Sequence, residues 1–112
     1  MAEINVEFVN FGQTASGGDG ILRPSHMLVN ARSAASRAMV TASPLAGEDL
    51  IVYAGAPYTH ALITARGADI RVAIGADPEA GQDDTLVQAG VEICARIQTG
   101  QSISAILDVA LS

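Results

Sequence analysis

The chain predicts an all-β fold: a small antiparallel β-sandwich or jelly-roll-like barrel, with an irregular, extended N-terminal segment. Three observations carry this. From Tyr58 to Val109 apolar and polar residues alternate in short runs, the period-two signature of half-buried strands. Gly, Asp and Pro separate those runs about every ten residues, as in antiparallel sandwiches and barrels. The hydrophobic fraction is 49%, yet there are only two Phe, two Tyr and no Trp. A core built from such residues is aliphatic and thin, the kind two small sheets enclose. The 112 residues form one domain, 1–112.

Taken in order, residues 2–11 alternate, with Ile4, Val6 and Phe8 on one face and Glu3, Asn5 and Glu7 on the other. The pattern breaks near Val9-Asn10-Phe11-Gly12, where a bulge or strand end fits. Residues 12–26 read as loop. Gly12, Gly17, Gly18 and Gly20 make this stretch costly to order. Residues 25–37 fit either a short helix capped by Ser25 or a strand, Met27 to Val29, followed by a small-residue loop. The Ser and Asn content favours the strand. Residues 10–35 are therefore expected to be a loop or arm within the domain.

A strand around 37–43 ends at Ser43-Pro44. Leu50-Ile51-Val52-Tyr53, between Gly47 and Gly55, suits a short buried strand, and Ala56-Pro57 begins a turn. From Tyr58 to Ala65, His60, Leu62 and Thr64 oppose Ala61, Ile63 and Ala65. Ile70, Val72 and Ile74 then face inward, with Asp69, Arg71 and Ala73 outward. Gly67-Ala68-Asp69 is expected to turn a tight hairpin between these two strands. A polar loop follows over 75–84, then a short strand at Leu86-Val87. Val91, Ile93, Ala95 and Ile97 share one face against Glu92, Cys94 and Arg96. After the turn at Thr99-Gly100-Gln101, a last strand carries Ile103, Ala105, Leu107, Val109 and Leu111.

Net charge is −6, and all six basic residues are Arg: Arg23, Arg32, Arg37, Arg66, Arg71 and Arg96. An acidic chain with dispersed cations is a poor phosphate binder, so direct nucleic-acid binding is not expected. The missing lysine reflects either a genome biased towards Arg and Ala or a use of Arg for fixed, bidentate interface contacts. Cys94 is the one cysteine, so no intrachain disulfide can form. The N-terminal residues lack the basic and apolar regions of a signal peptide, and no apolar run nears the roughly 18 residues that cross a bilayer. No membrane association is expected.

No stretch of the chain reads as catalytic. Asp77, Glu79, Asp83 and Asp84 could offer oxygen ligands to Ca²⁺, but Pro78 interrupts them and the spacing is not that of an EF-hand loop. A solvated loop is the better reading. His26 and His60 lie far apart in sequence, and a histidine metal site is not expected. Cys94 has no neighbouring motif that supplies a base or an anion hole, so it reads as a packing or interface residue. Gly17-Gly18-Asp19-Gly20 is not followed by Lys-Ser or Lys-Thr and is no phosphate loop. No enzyme, no cofactor, no metal and no small-molecule substrate are expected.

One succession of residues carries a resemblance. It runs through Asp69-Ile70-Arg71-Val72-Ala73-Ile74-Gly75, Asp77-Pro78, Leu86 and Ala89-Gly90, then Gly100-Gln101-Ser102-Ile103-Ser104-Ala105-Ile106. It resembles small β-sandwich structural proteins of tailed bacteriophages, of the capsid decoration or cement type. The match covers about the last 50 residues and consists of turn glycines and core aliphatics. The resemblance implies a virion protein, made in the host bacterial cytoplasm and placed on the outer surface of the capsid. Its partners would be the major capsid protein and further copies of itself, as a dimer or trimer. Asp19, Ile21, Leu22, Arg23, Met27, Arg32 and Arg37 are the expected interface residues. A tail, neck or fibre component is the alternative within the virion. A free carbohydrate-binding sandwich is the alternative outside it, disfavoured by the few aromatic side chains.

Overall fold

A computed structural model describes residues 2–13 and 27–109, with side chains described for 2–10 and 31–109. The fold is all-β, as the alternation predicts. It has two antiparallel sheets that do not close on each other, so it is a sandwich rather than a barrel. Among the described residues the strands are β1 (Ala2–Gln13), β2 (Met27–Arg32), β3 (Ser36–Val40), β4 (Ile51–Val52), β5 (His60–Arg66), β6 (Ile70–Gly75), β7 (Thr85–Val87), β8 (Glu92–Arg96) and β9 (Ser102–Leu107), with a 3-10 turn at Gly47–Asp49.

The first sheet has β1 at its centre. β5 lies along one side of β1 with β8 beyond it; β2 and β3 share the other side, β3 against Ala2–Val6 and β2 against Val9–Gln13. The second sheet runs β4-β9-β6-β7. Between the sheets lies one aliphatic layer. Ile4, Val6 and Phe8 from β1, with Ala61, Ile63 and Ala65 from β5, meet Ile70, Val72, Ile103 and Ala105 from the second sheet. Each of these residues is one its strand's alternation points inward. At one end Phe8 meets Tyr53 edge to face, centroids 5.8 Å apart, and the Tyr53 hydroxyl donates to the Tyr58 carbonyl.

The break after Val9 is a bulge, one of the two readings its pattern allows: register shifts between Asn10 and Phe11, and β1 continues to Gln13. Other expectations are corrected. The segment from Met27 is a strand, but it reaches Arg32 and pairs with β1. The expected arm over 10–35 is thus narrower, because 10–13 and 27–32 form a ladder. Residues 14–26 lie outside the described residues. The strand at 37 stops at Val40, and the run at Leu50 yields only a two-residue edge strand with Ile51 buried and Val52 66% exposed. The final strand ends at Leu107; Val109 is exposed and Leu111 lies outside the described residues.

The turn at Gly67-Ala68-Asp69 is not a hairpin. β5 pairs with β1 and β8, and β6 pairs with β7 and β9, so this turn carries the chain from one sheet to the other. The core explains it: β5 and β6 both offer an apolar face, and in a two-layer fold those faces bury best against each other. Gly67, at φ +82°, supplies the left-handed residue. Asp69 then holds the arch, its Oδ1 accepting from the Ala89 N–H at 2.8 Å.

The outer face of the second sheet is tied down by polar side chains. The buried Ser104 hydroxyl donates to the Leu45 carbonyl at 2.7 Å and accepts from the Ala80 N–H at 3.0 Å. It fastens two loops across β9. Gln82 imitates a strand, donating to the Leu107 carbonyl and accepting from the Val109 N–H. Arg71 pairs with Asp108 at 2.9 Å and reaches the Asp84 carbonyl. Replacing Ser104 by Ala leaves two backbone groups unsatisfied for the loss of one small side chain. It is expected to lower stability by about 1–3 kcal/mol, read by urea unfolding. A change within a few tenths would mean that the hydroxyl does not hold these loops.

Candidate interaction surface

The expected interface residues fall into three groups. Asp19, Ile21, Leu22 and Arg23 lie outside the described residues. Met27 opens β2, its backbone paired with Gln13. Arg32 and Arg37 are both exposed on the outer face of the first sheet, and the fold brings them to one side of β1. The placement follows from register. Arg37 stands opposite Asn5, and its Nε donates to Asn5 Oδ1 at 3.0 Å. Arg32 stands opposite Val9 and reaches diagonally to Glu7, Nε to Oε2 3.2 Å. The exposed Arg32–Glu7 ion pair contributes little stability, at most about 1 kcal/mol. Its effect, and that of the Arg37–Asn5 hydrogen bond, is to fix where the guanidinium groups point. Met39, two residues beyond Arg37 on the same face, is 53% exposed.

Beside these residues the sandwich is open. Among the described residues β3 pairs only with β1, and β4 pairs only with β9. Their free edges border a groove of 730 Å³. Arg37 and Met39 of β3 line it, with Leu50 and Val52 and with Glu48 and Asp49 of the 3-10 turn. Sequence reasoning marked Arg37 but missed the groove, because it arises where two edges from different sheets meet. The readable signal was Val52, an apolar residue in a run too short to be buried on both faces.

The opposite side is also open among the described residues. There β8 is the edge of the first sheet, and beside it a recess of 350 Å³ is lined by residues that include Ile63, Val72, Ile74, Thr85, Ile93 and Ala95. Cys94 lies on β8 with its side chain exposed on the outer face, opposite Leu62, and Glu92 and Arg96 flank it on the same face. His60 is half-buried on this face, its Nδ1 2.8 Å from Thr59 Oγ1. In the acidic loop, Asp84 Oδ2 accepts from the Gly81 N–H at 2.8 Å. Among the described residues no three His, Cys, Asp or Glu side chains gather closely enough to hold a metal ion. No helix there is long and apolar enough to cross a membrane.

Comparison with known protein families, with curated proteins and with solved structures finds no match to this chain.

The chemistry this surface offers is that of contact: fixed guanidinium groups, exposed Met39 and Val52, and unpaired strand edges. The thiol is not activated for nucleophilic work. Partial burial, and then the Glu92 carboxylate, push its pKa above the ordinary cysteine value. Alkylation of Cys94 by iodoacetamide is therefore expected to titrate at higher pH than that of an unstructured cysteine peptide. Glu92→Gln should bring the inflection only part of the way back, since burial is the larger cause. An inflection at or below the peptide's would contradict this.

Proposed function

We propose that this protein is a structural component of a tailed-phage virion, a capsid decoration protein that binds the outer shell and stabilises junctions between major capsid protein subunits. The observation that carries the reading is the groove between the free edges of β3 and β4. Exposed Met39 and Val52, the held Arg37 and two strand edges together form a place for an extended segment to dock by strand addition. The two carboxylates that line it, Glu48 and Asp49, favour a basic segment of a shell subunit as its occupant. The resemblance of the succession from Asp69 to Ile106 to phage sandwich proteins supports the same reading. So does the acidic, lysine-free composition, which suits a shell exterior better than contact with packaged DNA. Arg32 and Arg37, with Asp19, Ile21, Leu22, Arg23 and Met27, are the proposed contacts with neighbouring subunits.

The test is the copy number of this protein in purified particles of its source virus, by quantitative mass spectrometry. A number in the range of the major capsid protein is expected. A few copies would move the protein to the neck, tail or fibres, and absence from particles would overturn the virion reading. A second experiment addresses the segment before β2. Gln13 and Met27 are register partners, so an Asn-Gly turn in place of residues 14–26 can join them. This variant is expected to keep the thermal midpoint of the parent while binding bare capsids at least about tenfold more weakly. Undiminished binding would remove Asp19, Ile21, Leu22 and Arg23 from the interface.

A further inference from the structure

The second edge that is open among the described residues, β8, is self-complementary. Its hydrogen-bonding phase can be read from its partner. The Ile97 N–H donates to the Thr59 carbonyl, and the Gly90 N–H donates to the Ala65 carbonyl. Odd-numbered carbonyls around β5 thus face β8. In an antiparallel ladder successive residues alternate between the two edges. Ile93 and Ala95 therefore turn their backbone groups toward β5, while Glu92, Cys94 and Arg96 turn theirs to the open edge. The side chains of those three residues are exposed on the outer face, and neither Glu92 nor Arg96 makes an ion pair among the described residues. The strand has no proline or bulge to discourage pairing.

We propose that β8 pairs edge to edge with β8 of a second copy, antiparallel about Cys94, to give a two-fold dimer whose first sheets run on as one. In this register Glu92 stands opposite Arg96 of the second copy, and Arg96 opposite its Glu92. Each outward N–H meets an outward carbonyl. Cys94 faces its own symmetry mate. On the inner side, Ile93 stands against Ala95 of the second copy and the exposed Val91 against its Ile97, so the 350 Å³ recess beside β8 is covered. Shifting the register by two residues loses these charge pairs, so the central one is preferred. An isologous contact of this kind closes on itself and does not propagate. This inference goes beyond the shell-binding reading and stands without it.

The full chain provides its own probe. Cα atoms of a hydrogen-bonded antiparallel pair lie about 5.5 Å apart, inside the window of roughly 4.4–6.8 Å that a disulfide spans. Under a mild oxidant at alkaline pH, the native protein is expected to give a Cys94–Cys94 cross-linked dimer. The same sample without oxidant should sediment as a dimer. Glu92→Arg and Arg96→Glu each set like charges opposite one another at both ends of the contact, and each is expected to weaken the homodimer at least about tenfold. Mixing these two single variants should restore a dimer, because every charge then meets its opposite. The double variant carrying both changes should also dimerise.

The mixing step is a control for folding, since two misfolded chains would not rescue each other. A native chain that stays monomeric overturns the proposal. So does a dimer that gives no Cys94 cross-link, or one that Glu92→Arg and Arg96→Glu leave as tight as the parent. Copy number in virus particles bears on none of these readouts, so the shell-binding reading and the dimer can fail separately.

Discussion

The structure depends on one layer of aliphatic side chains held between two sheets. Burying a Val or Ile contributes about 1.5–3 kcal/mol, against about 1 kcal/mol net for a hydrogen bond. The inward residues of β1, β5, β6 and β9 therefore decide the fold. That is why β5 and β6 separate into different sheets across so short a turn. The layer is thin because the chain offers few aromatic residues, and the nine strands of two to twelve residues among the described residues do not close into a barrel. Open edges are the structural consequence.

The two outer faces are treated differently. On the second sheet, Ser104, Gln82 and Arg71 fasten loops and the chain after β9 across the surface, and Ser104 is fully buried beneath them. On the first sheet, Arg32, Arg37, Met39, Glu92, Cys94 and Arg96 are exposed. The polar network thus closes one side of the sandwich, and the contact chemistry is concentrated on the other and along its edges. A groove at β3 and β4 and a self-complementary strand at β8 lie on opposite sides of the first sheet. They can be occupied together, so a dimer through β8 leaves both copies of the groove available to another partner.

The sequence was most legible where one residue's neighbours along the chain settle its face. Ile4, Val6 and Phe8 against Glu3, Asn5 and Glu7, and Ile93 and Ala95 against Glu92, Cys94 and Arg96, are read correctly from alternation alone. The bulge after Val9 was legible as a break in that pattern. Which strand pairs with which was not legible, because alternation is the same whether a turn makes a hairpin or crosses between sheets. Gly67-Ala68-Asp69 shows this: its residues suit either turn, and only the need to bury Ile70 against the other sheet decides. The groove and the phase of β8 were out of reach for the same reason. They depend on partners distant in sequence. Ser104 reads as a polar interruption in an apolar strand, and its role emerges only when Leu45 and Ala80 are brought to it.

The most direct test of this account is residue-resolved amide hydrogen exchange across β8 as a function of protein concentration. At low concentration the amides of Ile93, Ala95 and Ile97 should be protected, while those of Glu92, Cys94 and Arg96 exchange fast. As concentration rises, the second set should become protected with the first unchanged. Absence of the alternation at low concentration would contradict the sheet order and register. Alternation that never changes with concentration would leave the sandwich standing and contradict its self-pairing edge.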